Sequence, residues 1–594
     1  MNREEVLNKT NELVSAHEFT KAKEILNEYL KDSNDDSIEI QKTLGLCNVN
    51  LDIYPEAKEN FEKVIAQDDN DATSWFYLGM IYESLDDIEK AQKAYEKVIV
   101  LREDYKDAYK NMAVVHLKLK NYDTALEFAQ KAKEIDNEDY QVHYLIGTAY
   151  TSKKEYEKAV EAMLDGIKLN PEHPLMYNNL GSCYLALKKI KEAQQAFEKS
   201  TELNPKNATG FYNLATAYQL QQKHEEAFKY FQKAYELQPD EFYLTAAAMG
   251  AINANSWAEA INYYQKLIIA HPEKQNFQYN LAIAYQESGK YTEAIKILAQ
   301  LVTFNPKSIS MAQRLAECYE KTGNMSMALN TYKNIIRLGK LPADVYYKYA
   351  LLCVKTGDMD KAENIFKKVI QLDPSNPFAH KDLGVVYLSQ RLFDYAKDEF
   401  EKAYKLAPDN PSVVFEYANF FHAMNEFEKA QEFYDKACEL APDVMNIEIF
   451  RALNYMALRN NDKALELLLE AMKKYPSQYL ILFNIGLLYY QKGNYDAAKE
   501  FLSDAYSLHQ DAEIMNALAL TFFELKEYEN SKNLALKLIA QYPDNINVLL
   551  LLAKSFIELG DAQNSIQYLE KIMQIFPEQP EAKELYERIK GVSK

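Results

Sequence analysis

The chain has 594 residues, of which 48% are hydrophobic and 26% charged, a balance that excludes wholesale disorder. Its formal net charge of −20 disfavours binding to nucleic acid or to an anionic membrane, since both need a basic surface. Glycine (16) and proline (17) are scarce for this length, which disfavours a loop-rich enzyme and favours helix.

The cysteines and the N-terminal sequence indicate the cellular compartment of the protein. The five cysteines, Cys47, Cys183, Cys318, Cys353 and Cys438, form no CxxC pair, so we expect neither a zinc site nor a disulfide framework. The opening MNREEVLNKTNELV lacks the apolar core of a signal peptide, and no stretch reaches about 18 apolar residues. These features predict a cytoplasmic protein with no metal, cofactor or membrane span.

A small residue recurs along the chain about every 34 residues, with one step of 35 and two of 33. With this residue as position 20, seventeen repeats cover residues 3–578. The series is Ala22, Ala57, Ala91, Ala125, Ala159, Ala193, Ala227, Ala260, Ala294, Ala328, Ala362, Ala396, Ala430, Ala464, Ala498, Ser531 and Ser565. A fixed period of this length predicts a continuous array of stacked units.

Each repeat has the pattern of two helices. Apolar residues at positions 4, 7, 8 and 11 share one helical face, and those at positions 20, 24 and 27 share the face of a second helix. Small residues at positions 8 and 20 permit close approach, a short polar turn separates the helices, and a proline near position 32 ends the repeat. Residues 579–594 contain a further helical pattern, which predicts a C-terminal capping helix and tail.

The third repeat carries a known motif most fully, through Trp75, Leu78, Gly79, Tyr82, Ala91 and Tyr95. This pattern, W-x2-L-G-x2-Y followed by alanine, an aromatic residue and proline, resembles the tetratricopeptide repeat family. The resemblance implies an all-α fold, a right-handed superhelical solenoid of helix-turn-helix units. The pentatricopeptide family, which binds RNA, is disfavoured by the proline, by the 34-residue step and by the acidic charge.

The repeats leave no room for a catalytic domain. The sequence has no HExxH, GxxxxGK[ST], GxSxG or GxGxxG motif, and its nine histidines are scattered. We therefore predict that the chain is not an enzyme.

The resemblance also implies where a partner would bind. First helices of such solenoids line a concave groove through positions 2, 5, 6, 9 and 12, and extended peptides or partner helices lie there. Aromatic residues occupy position 5 of every second repeat from the third to the fifteenth: Phe76, Tyr144, Tyr212, Tyr279, Tyr347, Phe415 and Phe483. This aromatic stripe either provides platforms for the apolar anchors of a peptide or records the duplication of repeat pairs.

Asparagine recurs at position 6, in Asn111, Asn179, Asn213, Asn280 and Asn484. An amide can donate to and accept from a peptide backbone, and the series resembles the asparagine ladder of the O-GlcNAc transferase repeats, although asparagine is also frequent here in the family. Repeats ten to thirteen carry mixed charge instead, including Arg314 and Lys348, which either sets the register of a charged ligand or is ordinary solvated surface. The two-carboxylate clamp of chaperone-binding tetratricopeptide domains needs Lys and Asn at set positions in three successive repeats. The sequence lacks that set, which disfavours binding of a chaperone C-terminal tail.

Two repeats depart from the pattern. The eighth is one residue short, and its first helix is rich in alanine, which permits close packing or a change of curvature. The fourteenth places Glu448 and Arg451 where apolar residues normally lie. These two residues could pair with each other; otherwise they bridge neighbouring repeats or face a partner.

Together these features predict a non-catalytic scaffold or adaptor that binds an extended or helical segment of a partner protein in the groove. One alternative is a structural module that self-associates through its ends or convex face. A second is a regulatory subunit of a separately encoded enzyme, such as a transferase or a ubiquitin ligase.

Overall fold

A computed structural model describes residues 2–33, 35–339 and 341–592 of the chain. These residues form thirty-five α-helices and no strand, as the repeat pattern predicts. The chain divides into two compact units, which we call the N-terminal unit (Met1–Asn305) and the C-terminal unit (Pro306–Lys594).

The described residues of the N-terminal unit contain eighteen helices. They are α1 (Arg3–Ser15), α2 (Phe19–Asp32), α3 (Ile38–Asn50), α4 (Tyr54–Gln67), α5 (Ala72–Ser84), α6 (Ile88–Leu101), α7 (Lys106–Lys118), α8 (Tyr122–Ile135), α9 (Tyr140–Ser152), α10 (Tyr156–Leu169), α11 (Pro174–Ala186), α12 (Ile190–Leu203), α13 (Ala208–Leu220), α14 (His224–Leu237), α15 (Glu241–Asn253), α16 (Trp257–Ala270), α17 (Gln275–Glu287) and α18 (Tyr291–Phe304).

The described residues of the C-terminal unit contain seventeen. They are α19 (Ile309–Lys321), α20 (Met325–Ile336), α21 (Ala343–Lys355), α22 (Met359–Leu372), α23 (Pro377–Ser389), α24 (Phe393–Leu406), α25 (Pro411–Ala423), α26 (Phe427–Leu440), α27 (Met445–Ala457), α28 (Asn461–Lys474), α29 (Tyr479–Gln491), α30 (Tyr495–Leu508), α31 (Ala512–Glu524), α32 (Tyr528–Gln541), α33 (Ile546–Glu558), α34 (Ala562–Ile575) and α35 (Pro580–Val592).

The helices follow the repeat. The first helix of each repeat covers positions 1–13 and the second covers positions 17–30, except that α20 ends two residues early. Within each unit, consecutive helices pack against one another, which confirms the predicted array of helix pairs. The prolines near position 32, such as Pro171, lie in the turns that follow the second helices.

Small residues at position 8 let the two helices of a repeat approach closely. A Cβ atom added at Gly79 would lie 2.5 Å from Cε1 of Tyr95, and one added at Gly181 would lie 2.6 Å from Cε1 of Phe197. Both aromatic rings stand at position 24 of the same repeat and are fully buried. At these two repeats the glycine therefore lies close against the ring, and a larger residue would require the ring to shift.

The turn between the two helices has the same backbone conformation throughout. The residue at position 15 has a positive φ, between 55° and 78°, in all seventeen repeats. Five of these residues are glycines: Gly289, Gly323, Gly357, Gly493 and Gly560. The other twelve carry side chains in a left-handed conformation that L-residues adopt at a cost.

The capping helix is confirmed as α35, whose Ala582 and Ile589 are buried in a cluster with Leu549 and Leu569. The last two residues of the predicted tail, 593–594, lie outside the described residues. Throughout the described part of the chain, no helix is both long enough and apolar enough to cross a bilayer. All five cysteines are buried, and none forms a disulfide within the described residues.

Candidate partner-binding face of the first helices

Positions 2, 5, 6 and 9 of the first helices form a surface that we call the first-helix face. All seven predicted stripe residues lie on it and are half-buried. In the N-terminal unit these are Phe76, Tyr144, Tyr212 and Tyr279, and in the C-terminal unit Tyr347, Phe415 and Phe483.

The stripe rings also pack within their own repeats. The ring centroids of Phe76 and Tyr95 lie 6.0 Å apart, and those of Tyr212 and Phe231 lie 5.5 Å apart. The same contact, between positions 5 and 24, recurs at 6.0 Å in the C-terminal unit for Tyr347 with Phe366 and for Phe415 with Tyr434. Each of these rings therefore supports its hairpin with one side and leaves part of its surface exposed.

The eighth repeat opens a cavity of about 690 Å³ on the face of the N-terminal unit. Its lining is Tyr212, Glu241, Phe242, Thr245, Ala246, Met249, Lys274, Asn276 and Phe277. The short side chains of Thr245 and Ala246 stand at positions 5 and 6, where the stripe repeats place an aromatic ring and five repeats place an asparagine. The alanine-rich helix α15 thus produces a hollow on this face.

Two large apolar side chains at this cavity are exposed. Phe242, at position 2, is 57% exposed, and Met249, at position 9, is 52% exposed. The ring of Phe242 lies 4.8 Å from that of Tyr212. Our prediction named residues at positions 5 and 6 and missed these two; an aromatic residue at position 2, which is polar in most repeats, is the signal that would have found Phe242.

Charged groups lie at the rim of the cavity. Lys274 Nζ lies 2.5 Å from Glu241 Oε1, and His271 Nε2 lies 2.7 Å from the other oxygen of the same carboxylate. Lys274 holds the pKa of Glu241 below its ordinary value through this contact, assisted by His271. The cavity therefore has an apolar interior and a polar edge, the usual arrangement of a protein-binding hot spot.

Two of the five predicted amides serve the interior of the array. Asn111 Nδ2 donates to the phenol oxygen of Tyr95 at 3.1 Å, and Asn280 Nδ2 donates to that of Tyr264 at 3.0 Å. Both tyrosines are buried, and burial raises the pKa of Tyr264 to about 12. An asparagine sixteen residues after a position-24 tyrosine is the sequence signal for this bond.

The other three amides differ from one another. Asn213 Nδ2 donates to Asn178 Oδ1 of the preceding repeat at 2.9 Å, so these two residues form a short ladder on the face. Asn179 is half-buried on α11. Asn484 is buried, and its Nδ2 donates to the Leu480 carbonyl of its own helix at 2.7 Å.

Repeats eleven and twelve carry a polar network on the face of the C-terminal unit. The Tyr347 hydroxyl donates to Asp382 Oδ2 at 2.6 Å, and Lys381 Nζ lies 3.0 Å from Asp382 Oδ1. The Lys381 and Asp382 side chains are each only 14% exposed. Burial, together with the Asp382 charge, raises the pKa of the Tyr347 phenol well above its usual range, so Tyr347 acts as a hydrogen-bond donor.

The thirteenth repeat carries a second polar group. Asn419 Nδ2 donates to Glu416 Oε2 at 3.1 Å, and the hydroxyl of buried Tyr434 donates to Asn419 Oδ1 at 2.6 Å. Burial raises the pKa of the Glu416 carboxyl above its ordinary value, because the charged form is poorly solvated there. Of the residues predicted to bind a charged ligand, Lys348 contacts Glu317 at 2.6 Å, and Arg314 is half-buried on α19.

Comparison with models of known protein families agrees with the repeat pattern. Models described as "Tetratricopeptide repeat" match residues 60–93, 208–241, 251–313, 343–376, 381–444, 451–513 and 547–578. A model described as "Anaphase-promoting complex, cyclosome, subunit 3" matches residues 84–165 and 120–200. No curated protein matches the chain.

Solved structures similar to this chain include the APC/C hetero-tetramer Cut9-Hcn1, with 16% identity, 82% of this chain and 96% of that chain covered, and a TM-score of 0.37. Yeast Tom70 has 17% identity and a TM-score of 0.37, and the match covers 72% of this chain and 97% of that chain. YrrB, described as a TPR protein with an unusual peptide-binding site, has 25% identity and a TM-score of 0.28. The match covers 32% of this chain and 96% of that chain. From its repeat motif, its helix pairs and the matching family models, the chain belongs to the tetratricopeptide repeat family.

Proposed function

We propose that this chain is a non-catalytic scaffold that holds an extended or helical segment of a partner protein on its first-helix face. The cavity at the eighth repeat is its principal anchor site. The proposal rests on one observation: Phe242 and Met249 are more than half exposed beside a cavity of about 690 Å³. Family membership and stacked helix pairs support the broader assignment as a protein-interaction scaffold.

The energetics favour an apolar anchor in the partner. Burying a large apolar side chain contributes roughly 1.5–3 kcal/mol, so covering Phe242, Met249 and the open side of Tyr212 would supply a substantial share of a micromolar affinity. The charged rim at Glu241 and Lys274 would then lie beside polar groups that flank the anchor. We therefore expect a partner segment with an aromatic or long aliphatic residue next to polar ones.

The thiols support a reducing compartment for this scaffold, and we propose the cytoplasm. All five cysteines are buried, and in the described part of the chain none is joined in a disulfide. Burial raises the pKa of Cys47 and of Cys353 to about 11, so these thiols are protonated at neutral pH. They therefore act as small apolar side chains within the packed helices.

A peptide-display selection on the purified chain tests the proposal. Selected peptides should share an aromatic or aliphatic anchor. The Phe242→Ser, Met249→Ser double variant should bind them at least ~30-fold more weakly, equivalent to a loss of about 2 kcal/mol. The control is Ile269→Ser on α16, because Ile269 is 84% exposed but lies on a second helix, away from the face. This control should stay within about twofold of the wild type.

Three results would count against the proposal. The selection could yield no binding peptide, or the double variant could retain full affinity while its helicity is unchanged. A mass that increases with concentration in sedimentation, without peptide binding, would favour the self-association alternative.

A further inference from the structure

Charge is distributed unevenly between the helices of repeats five to nine. The first helices α9, α11 and α13 contain no aspartate, glutamate, lysine or arginine. Helices α15 and α17 contain one such residue each, Glu241 and Glu287, at a helix end. The second helices of these repeats are charged, and α10 and α12, for example, carry five such residues each. The charge of this part of the chain is therefore concentrated away from the first helices.

The uncharged stretch coincides with the first-helix face of the N-terminal unit. None of the twenty residues at positions 2, 5, 6 and 9 of repeats five to nine is charged. Along the chain, charge occupies the same positions in the fourth repeat, at Asp107 and Lys110, and in the tenth, at Arg314 and Glu317. Nineteen of the twenty residues are at least partly exposed, so burial within the fold does not explain why they are uncharged.

The five first helices form one continuous surface. Helices α9, α11 and α13 contact one another in order, and residues of α13, α15 and α17 line the cavity at the eighth repeat. Packed helices lie about 10 Å apart, so five of them span about 40 Å. An extended chain of about twelve residues covers that length.

Three hydroxyl groups on this surface are set as hydrogen-bond acceptors. Position 9 of repeats five to seven is Thr148, Ser182 and Thr216, and all three side chains are partly exposed. Each hydroxyl donates to the position-5 carbonyl of its own helix, at 2.8, 3.0 and 2.9 Å respectively. Because a hydroxyl has a single proton, these oxygens can only accept a further hydrogen bond. A partner that lies here therefore gains by donating.

This surface disfavours a charged partner segment. A charged side chain laid on it would lose hydration and meet no opposite charge among these twenty residues. Glu241 and Lys274, at the rim of the cavity, are paired with each other. The net charge of −20 repels acidic segments and attracts basic ones without specificity, so an uncharged surface selects by discriminating against both.

The hydroxyl acceptors indicate the conformation of the segment. In a helix, most backbone N–H groups are already bonded within the helix, whereas an extended chain presents them to its neighbour. Backbone N–H groups and the side chains of Ser, Thr, Asn and Gln are neutral donors that fit these oxygens. An extended segment therefore uses this surface better than a helical one.

We propose that positions 2, 5, 6 and 9 of repeats five to nine, which we call the uncharged face, bind an extended, uncharged segment of a partner protein. The segment places an apolar side chain in the cavity at the eighth repeat. Where it crosses repeats five to seven, its N–H and O–H groups donate to Thr148, Ser182 and Thr216. This inference rests on the scaffold function proposed above and specifies the chemistry of the partner.

Selection from a displayed library of random peptides of about twelve residues, on the full chain, tests the inference. We expect Lys, Arg, Asp and Glu to be depleted at least about fivefold in the bound peptides relative to the unselected library. Synthetic copies of the bound peptides should change in affinity by less than about twofold between about 50 and 500 mM NaCl, because no ion pair forms.

A matched pair of variants tests whether the segment crosses the face. Thr148 stands three repeats from the cavity, so a peptide confined to the cavity does not reach it. Thr148→Glu should weaken binding at least about tenfold relative to Thr148→Gln, because the two new side chains have the same size and differ in charge. Equal helicity of the two variants shows that both are folded.

The outcomes separate this inference from the scaffold function. Peptides that need Phe242 and Met249 but carry charge at the frequency of the library would overturn the inference and leave the scaffold function standing. Equal affinity of such peptides for Thr148→Glu and Thr148→Gln would do the same. A selection that yields no binding peptide would overturn both.

Discussion

The first-helix face carries different chemistry in two regions of the chain. At the eighth repeat, positions 2 and 9 are Phe242 and Met249, which are exposed beside an apolar hollow. At the thirteenth repeat, the same positions are Ser412 and Asn419, which take part in side-chain hydrogen bonds. The first helices beneath have the same length, thirteen residues, in both regions. Packing between the helices uses other positions, so the residues at positions 2 and 9 can vary without changing the scaffold.

The two regions also differ in how their side chains are used. The apolar side chains at the eighth repeat are exposed and contribute little to the folded state. The network of Tyr347, Lys381 and Asp382 is largely buried, and its charges are paired within the chain. We therefore expect the apolar region to serve a partner and the polar network to serve stability.

The largest expected effect comes from removing the acid at the centre of the network. Asp382→Ala leaves Lys381 without its carboxylate and the Tyr347 hydroxyl without its acceptor, so we expect a loss of about 2–3 kcal/mol. Amide hydrogen exchange in α21 to α25 measures this as an increased rate of local opening. The matched change in the other region, Met249→Ala, should alter exchange in α13 to α17 by less than about 0.5 kcal/mol. Equal effects at the two sites would contradict the proposed division.

A smaller effect is expected from Glu416, and it depends on pH. Burial raises the pKa of this carboxyl above its unfolded value of 4.5. The folded state therefore binds the proton more tightly, and ionisation destabilises it as the pH rises through the folded pKa. Glu416→Gln removes this penalty, so the variant should be about 1 kcal/mol more stable at pH 7 and no more stable near pH 4.

The measurement is urea unfolding of both proteins across that pH range. The control is Glu428→Gln, at an exposed glutamate on α26, which should show no comparable dependence. A gain in stability that persists at pH 4 would show that the carboxylate charge is not its cause.

The array of helix pairs and its repeat register could be predicted from the sequence. Counting back from the alanine at position 20 places position 1 of the third repeat at residue 72, and α5 begins at Ala72. This precision arises because many positions are constrained at once, as Gly79 is by Tyr95. The capping helix was likewise visible in its helical spacing.

The chemistry of the sites could be predicted only in part. The sequence identified the alanine-rich helix, but that it opens a hollow depends on the volumes of side chains from three repeats. Arg451 was recognised as unusual, yet spacing along one helix suggested Glu448 as its partner. Arg451 instead faces the preceding repeat, where its Nε lies 2.5 Å from Asp435 Oδ1. The spacing of residues along one helix does not show which side chains of neighbouring repeats lie close together.

The smallest expected effect tests whether the scaffold is the same in both units. Lys154 in the N-terminal unit and Arg391 in the C-terminal unit stand at position 15, with φ of 64° and 60°. Lys154→Gly and Arg391→Gly should each stabilise the fold by about 0.5 kcal/mol, because relief of left-handed strain exceeds the added entropy of the unfolded chain. The reverse control is Gly357→Ala: φ is 78° and an added Cβ would meet no atom within 4 Å, so the same balance of strain and unfolded-chain entropy applies in reverse and about 0.5 kcal/mol should be lost. Thermal unfolding of the three variants measures these shifts. Equal gains at Lys154 and Arg391 would show that the turn is under the same constraint in both units, whereas a gain in only one would mean that the scaffold, and not only its face, differs between them.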